Sequence, residues 1–401
     1  MRYTKPNVIY YRIAQIASWF VAFFIFKRKI LRNEIKDIQG PYVVIANHQA
    51  ALDFVNLIGM TPRPMTFVIS NSFYQTLPIT GFLKKMGVIP KQQFQTSITD
   101  MRNMKAVIDQ GQPLVIYPAG LMCEDGLSTP IPQATYKFLK WLKADIYIAR
   151  TAGAYFAMPK WGKGIRPGKT YIDVYKLFSK DDLAQLDLQT IKARTDEAIL
   201  FDAYREQETL PAARKGNRNI EGLENVLYMC PHCKREFSIR TKEKNTIYCT
   251  ECGFEQTSDE FALLRKQSGV GCELRYVSDW SRLIYEELKS KVDAGTEQGL
   301  SCGTSIHMID MDRHKFVEVG TGMVTLSNQC FQIIGQIHGS PAELTVPISN
   351  LPTLPFSPGK YLEVQHGENI YRCVLTDGKL VMKYINLVKI FHERSAAAAI
   401  K

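Results

Sequence analysis

Between Tyr42 and Phe178, short apolar runs alternate with helix-like stretches, and this alternation restricts the fold more than any other feature of the chain. "YVVIA" (42–46), "MTFVI" (65–69), "LVIY" (114–117), "DIYIA" (145–149) and "TYIDVYKLF" (170–178) read as strands. Runs this apolar suit strands covered on both faces, as in a parallel sheet layered with helices. A helix is expected around Ala50 to Met60, and a helical stretch over 73–87 is interrupted at Pro78. In 98–111, Ile98, Met101, Met104, Val107 and Ile108 recur at helical spacing and Gly111 closes the pattern. Residues 135–143 and 186–208 read as further helices. Together these predict an α/β sheet with flanking helices.

At 401 residues the chain is too long for one ordinary core. Apolar residues at 45% and charged residues at 22% describe a globular protein. The pattern divides it into a membrane-interfacial helix (1–32), the α/β domain (33–210), a linker (211–227), a metal ribbon (228–256) and a helix followed by a small β-rich domain (257–401). In the last of these, "SDWSRLIYEELKSKV" (278–292) repeats Trp280, Ile284, Leu288 and Val292 every four residues, with Ser278 as a candidate cap. Short alternating segments follow from about residue 304.

The net charge is +11, and residues 1–40 hold eight Lys/Arg against two Asp/Glu. A basic end favours an anionic partner, either a membrane surface or nucleic acid. Ile13 to Phe26, "IAQIASWFVAFFIF", is uncharged but shorter than the roughly 20 residues of a simple spanning helix. As a helix it places Arg12, Gln15, Ser18 and Ala22 on one narrow stripe, with Trp19, Phe20, Phe23 and Phe24 in the apolar remainder. "KRKILR" (27–32) follows. An apolar, aromatic helix with a basic flank suits a membrane interface; the alternative is a buried core helix. Basic residues stand where a signal cleavage site would need small ones, so no cleaved signal peptide is expected.

Cys230-Pro-His-Cys233 and Cys249-Thr-Glu-Cys252 form two Cys-x-x-Cys knuckles fifteen residues apart. Four thiolates at this spacing are a tetrahedral zinc set, and a full set leaves no site for water, so the ion is expected to be structural. "FSIRT" and "NTIYC" read as the strands of a zinc ribbon, and His232 as a turn residue. The other five cysteines show no disulfide framework, which with the missing signal suggests a reducing compartment. Zinc ribbons often serve nucleic-acid machinery, but here the basic excess lies at the opposite end, beside the apolar helix.

The sharpest chemical signal is "VVIANHQAALDF" (43–54). His48 follows a buried strand, at the turn into a helix, where ligands bind in open α/β sheets. Asp53 lies about one helical turn on and can take the Nδ1 proton, leaving Nε2 to accept a proton from a hydroxyl. His307 and Asp312 share the spacing but have no aliphatic run before them, and read as surface residues. Between residues 42 and 178 no G-x-S-x-G nucleophile motif is present.

At these residues the chain resembles the glycerolipid acyltransferases, which pair histidine and aspartate as H-x4-D. "NHQAALDF" (47–54) is similar to their first motif, "MGVIPKQ" (86–92) to the second, "VIYPAG" (115–120) to the third and "IYIARTAGAY" (146–155) to the fourth. The resemblance implies a glycerol-3-phosphate acyltransferase-like sheet on a membrane. Its implied chemistry moves an acyl group from acyl-CoA or acyl carrier protein to a lysolipid hydroxyl in phospholipid or related lipid synthesis. His48 would be general base and Asp53 would orient it. Asn47, Lys91, Pro118 and Gly120 would bind substrate, with main-chain N–H groups near Gly120 for the oxyanion. The setting implied is the cytoplasmic face of a bacterial membrane, peripheral or monotopic.

Departures are specific. Gln93 stands where the second motif carries arginine, and Ala119, Leu121 and Met122 replace polar residues of the third. These positions hold an acceptor's phosphate in that family, and Gln, Leu and Met offer no charge-assisted donors. Glu124 and Asp125, just downstream, either partly substitute for the polar pair or, the reading preferred here, are surface acids in a loop. A competing reading is a scaffold without turnover, carrying the ribbon to a membrane or to nucleic acid.

Overall fold

The structure is a computed structural model that describes residues 3–94, 97–214 and 219–400. The chain forms two compact units: Met1–Pro159 with Gly164–Asn217 and Glu260–Ala262, and Lys160–Lys163 with Arg218–Asp259 and Leu263–Lys401.

In the first unit, β1 (Arg28–Asn33), β2 (Tyr42–Ala46), β3 (Thr66–Ser70), β4 (Ile89–Lys91), β5 (Leu114–Ile116), β6 (Asp145–Ala152) and β7 (Thr170–Phe178) form one sheet in the order β1-β7-β6-β2-β5-β3-β4. β2 lies centrally and runs parallel to β5 and β6, with Ile45 opposite Ile116 and Ile148. β3 continues in parallel to β4 and β5. The sheet is not parallel throughout: β7 pairs antiparallel with β6, and β1 runs parallel to β7. The β6–β7 connection carries no long crossover helix, which a parallel return would need.

The first four helices are α1 (Val8–Phe24), α2 (Asp53–Ile58), α3 (Asn71–Thr76) and α4 (Thr80–Lys85), the last two separated around Pro78 as the sequence suggests. Then come α5 (Ile98–Asp109), α6 (Gln133–Leu142), α7 (Ala154–Ala157), α8 (Lys180–Gln185), α9 (Leu188–Ile199) and α10 (Ala203–Glu206). β2 shows why its sequence is continuously apolar. Val43 and Ile45 pack with Val107, Leu139 and Ile191 on one face, while Tyr42, Val44 and Ala46 pack with Tyr11, Leu57 and Ile58 on the other.

The single helix expected over 186–208 is broken in two. The Asp187 carboxylate accepts the Thr190 N–H at 2.7 Å, and that of Asp202 accepts the Tyr204 N–H at 3.1 Å, so each aspartate starts a new helix. No proline or glycine advertises these breaks.

α1 is amphipathic in the inverse sense. Tyr11, Ser18 and Ala22 are buried, and the Gln15 amide donates to the Ile58 and Thr61 carbonyls at 3.1 and 3.0 Å. Ile9, Ile16, Trp19, Phe20, Phe23 and Phe24 are each more than half exposed. The small and polar stripe therefore faces protein, and the helix is not a core helix. Its start is tied down where the Asn7 N–H donates to the Lys85 carbonyl at 2.8 Å. Gly87, at φ +71°, permits this close pass, since a Cβ there would lie 2.9 Å from the Thr4 carbonyl oxygen. No helix among the described residues is long and apolar enough to cross a membrane.

In the second unit, β8 (Ile239–Lys242), β9 (Thr246–Cys249), β10 (Glu255–Ser258) and β11 (Leu264–Ser268) form an antiparallel sheet in the order β11-β10-β9-β8. α11 (Val277–Asp293) buries Trp280, Ile284, Leu288 and Val292, as the four-residue repeat predicts. Ser278 is not its cap: Tyr276 holds that position, and Ser278 is buried within the first turn. The β-rich region is a seven-stranded antiparallel sheet of β12 (Gly299–Asp310), β13 (Lys315–Ser327), β14 (Cys330–Ile337), β15 (Ser340–Pro347), β16 (Phe356–Ser357), β17 (Tyr361–His366) and β18 (Asn369–Leu375). α12 (Val381–Ile400) follows, and its Tyr384 hydroxyl donates to the Val324 carbonyl at 3.0 Å. Glu236 accepts from Lys291 at 3.0 Å and Lys383 at 2.9 Å, tying the segment after the first knuckle to α11 and α12.

Residues 215–218 of the expected linker lie outside the described residues. On either side, Ala212, Arg214, Ile220, Leu223, Val226 and Leu227 are buried.

Candidate active site

β2 delivers Asn47 and His48 at its carboxyl end, and the turn through Ala50 and Leu52 leads into α2, whose first residue is Asp53. From there the Asp53 carboxylate folds back over the turn. Its Oδ2 accepts His48 Nδ1–H at 3.0 Å and the N–H groups of Gln49 and Ala50 at 2.6 and 2.9 Å. A carboxylate can only accept here, so the ring proton sits on Nδ1 and Nε2 carries the free lone pair. The Asp53 side chain is 1% exposed and that of His48 22%. The pair is thus a buried anchor with a solvent-reachable base.

Neighbouring groups fix this turn. Asn47 clamps it to β6: its amide donates to the Thr151 carbonyl and accepts the Thr151 N–H, both at 2.8 Å. Gln49 accepts the Tyr155 N–H at 3.2 Å and reaches Glu206 at 3.5 Å, and Glu206 is ion-paired with Arg150 at 2.8 Å. Burial pushes the Glu206 carboxyl up, opposed by the Arg150 guanidinium. The Tyr117 ring lies 4.6 Å from that of His48, tilted by 36°. Its hydroxyl is held well above the usual phenol range by burial and then by the Asp53 charge. Gln49, Tyr117 and Thr151 were not singled out from sequence, because each acts through a strand or turn brought in from elsewhere.

Pro118 lines a cleft beside His48 together with Ala46 and Asn47. Its apolar wall is Leu121, Ile131, Ile199, Leu200 and Phe201, and Ser128 and Thr129 add hydroxyls. The Gly120 N–H donates to the Tyr117 carbonyl at 3.0 Å, and its carbonyl accepts from Gln93 at 2.6 Å. Lys91 lies on β4 and donates to the Gln92 carbonyl at 2.9 Å. Burial pulls its ammonium down in pKa, and Asp100 partly offsets this. Glu124 and Asp125 are not surface acids, being only 6% and 9% exposed. Their loop is pulled inward because the Cys123 N–H donates to the His48 carbonyl at 3.2 Å and the Tyr155 hydroxyl to the Glu124 carbonyl at 3.2 Å. His307 is half-buried on β12, where its Nε2 meets the Ser305 hydroxyl at 3.0 Å; the Asp312 N–H turns instead to Asp310.

In the second unit the four knuckle cysteines converge, with all Sγ atoms within 4.8 Å of one another. Cys230 and Cys252 are 3.6 Å apart, and Cys233 and Cys249 are 3.8 Å apart. A tetrahedral ion with bonds of about 2.3 Å requires sulfurs ~3.8 Å apart, so the cluster can hold a metal ion. His232 is not part of it.

The sequence matches the acyltransferase family over residues 21–160. A similar solved structure is the 1-acyl-sn-glycerophosphate (LPA) acyltransferase PlsC from Thermotoga maritima, at 13% identity and a TM-score of 0.40, covering 50% of this chain and 78% of that one. The family match favours an acyltransferase over a scaffold. Asn47, His48, Asp53, Lys91, Pro118 and Gly120 all fall inside the matched segment.

Proposed function

We propose that this chain is a membrane-associated O-acyltransferase that moves an acyl group from an acyl thioester, acyl-CoA or acyl carrier protein, to a lysolipid hydroxyl. The observation that carries the reading is the 3.0 Å contact between His48 Nδ1 and the buried Asp53 carboxylate, at the end of the central strand. His48 Nε2 takes the hydroxyl proton as the oxygen attacks the thioester carbonyl. The tetrahedral adduct then collapses, the C–S bond breaks, and the thiolate leaves with the proton returned by His48. Asp53 keeps the imidazole oriented and stabilises its cation, as such pairs do elsewhere.

The bilayer is the occupant assigned to the exposed face of α1. Trp19, Phe20, Phe23 and Phe24 lie on that face, and the exposed Lys27 and Lys29 follow the helix. Apolar insertion beside cationic residues is what an anionic lipid surface binds. Such a membrane would be met from the cytoplasmic side of a bacterial cell. Zn²⁺ is the ion assigned to Cys230, Cys233, Cys249 and Cys252, in a structural role.

His48→Ala tests the chemistry. With labelled acyl thioester and a panel of lysolipids, transfer is expected to fall by roughly 10²–10⁴-fold, the usual contribution of a general base. Vesicle binding and melting temperature are expected to stay unchanged. Full activity in the variant ends the general-base reading.

A further inference from the structure

The charge distribution around His48 separates classes of acceptor. Among the described residues that line the cleft there is no lysine or arginine. The Asn47 amide is used at both ends by Thr151, and the Ser128 hydroxyl is used by the main chain of Phe201. Thr129 adds a hydroxyl, and the rest of the wall is apolar.

Three cations of this unit are engaged with other groups. Lys91 donates to the Gln92 carbonyl, Arg150 is paired with Glu206, and Arg214 donates to the Gly153 carbonyl. Arg166 and Arg214 are 5% and 3% exposed and do not line the cleft. Acids, by contrast, crowd the turn. The Cys123 thiol is held far above its usual range, by burial first and then by Asp125, Glu124 and Asp53. Glu124 and Asp125 directly follow Cys123, whose N–H is bonded to the His48 carbonyl at 3.2 Å.

We propose that the acceptor hydroxyl belongs to a neutral glycerol or sugar headgroup, with no phosphomonoester beside it. This rests on the acyltransferase reading and narrows it. In a lysophosphatidate the phosphate sits one carbon from the reacting hydroxyl. Placed in this cleft, its dianion would lose hydration without gaining a counter-cation from the described residues that line it. A monoacylglycerol or a glycosylated monoacylglycerol brings only hydroxyls, which water and Thr129 can satisfy.

The test uses the full-length protein in mixed micelles, with palmitoyl-coenzyme A and palmitoyl-acyl carrier protein as alternative donors. Acceptors are 1-acylglycerol, its glucoside and 1-acylglycerol-3-phosphate, matched in chain length. The expected result is kcat/KM at least about tenfold higher for a neutral acceptor, as desolvating a phosphate without a counter-cation predicts. The two neutral acceptors distinguish glycerol from sugar as the source of the hydroxyl. Thr129→Arg is expected to narrow the preference by about tenfold by supplying the missing cation. A preference for the phosphomonoester in the unaltered protein, or a preference that the arginine leaves unmoved, overturns the inference while the acyltransferase reading stands. No transfer to any acceptor from either donor, by protein of unchanged melting temperature, overturns the acyltransferase reading and this inference with it.

Discussion

Asp53 does two jobs with one oxygen. Oδ2 orients the imidazole and also closes the turn, through the N–H groups of Gln49 and Ala50. The two jobs respond differently to Asp53→Asn. An amide presents a carbonyl oxygen to only one side and carries no charge, so the imidazole loses the partner that stabilises its cation. The expected outcome is a fall in kcat of roughly 10²–10⁴-fold with little change in KM. Melting should reveal a loss of about 1–3 kcal/mol from the weakened turn. A KM effect alone would place Asp53 in binding instead. His48 and Asp53 were legible from sequence because five residues across a strand-to-helix turn bring them together locally. Glu124 and Asp125 were misread as surface acids, because their burial depends on main-chain bonds to His48 and Tyr155, which lie far away in sequence.

Elements were read best where their own periodicity decides them. β2, α5 and α11 match the patterns expected for them. The break between α9 and α10 was missed because a capping aspartate such as Asp202 looks like any other polar residue until its side chain turns back. The cysteine knuckles are decided by local spacing, but their link to the rest of the unit is not. Met229, next to Cys230, accepts the Trp280 indole N–H at 2.8 Å. Trp280 also packs edge-on to Phe254, with ring centroids 5.4 Å apart. Loss of the ion should therefore be visible at Trp280. Elemental analysis is expected to find about one Zn²⁺ per chain, the stoichiometry of a four-thiolate site. A strong chelator, or Cys249→Ser, should red-shift the tryptophan emission as the indole is wetted. Metal-free protein with unchanged emission and melting would remove zinc from the structural account.

At the scale of the whole molecule, α1 carries the largest consequence. Its apolar face is turned outward although the helix is held at Gln15 and buried at Tyr11, Ser18 and Ala22. Phe20→Glu with Phe23→Glu changes only exposed positions, so melting should be unaffected. Flotation with vesicles containing phosphatidylglycerol is expected to fall sharply, since two aromatic anchors are replaced by acids that an anionic surface repels. Flotation equal to the unaltered protein would assign the face to another partner. By itself, the sequence determined the α/β alternation, the cysteine quartet and the His48–Asp53 pairing, because each depends on residues close along the chain or on strict period. Only the tertiary structure decided which stripe of α1 faces protein, the reversed direction of β7, and a cleft beside His48 with no lysine or arginine among its described lining residues. Those depend on packing and hydrogen bonds between segments a hundred residues apart, such as Asn47 with Thr151, and no local pattern encodes them.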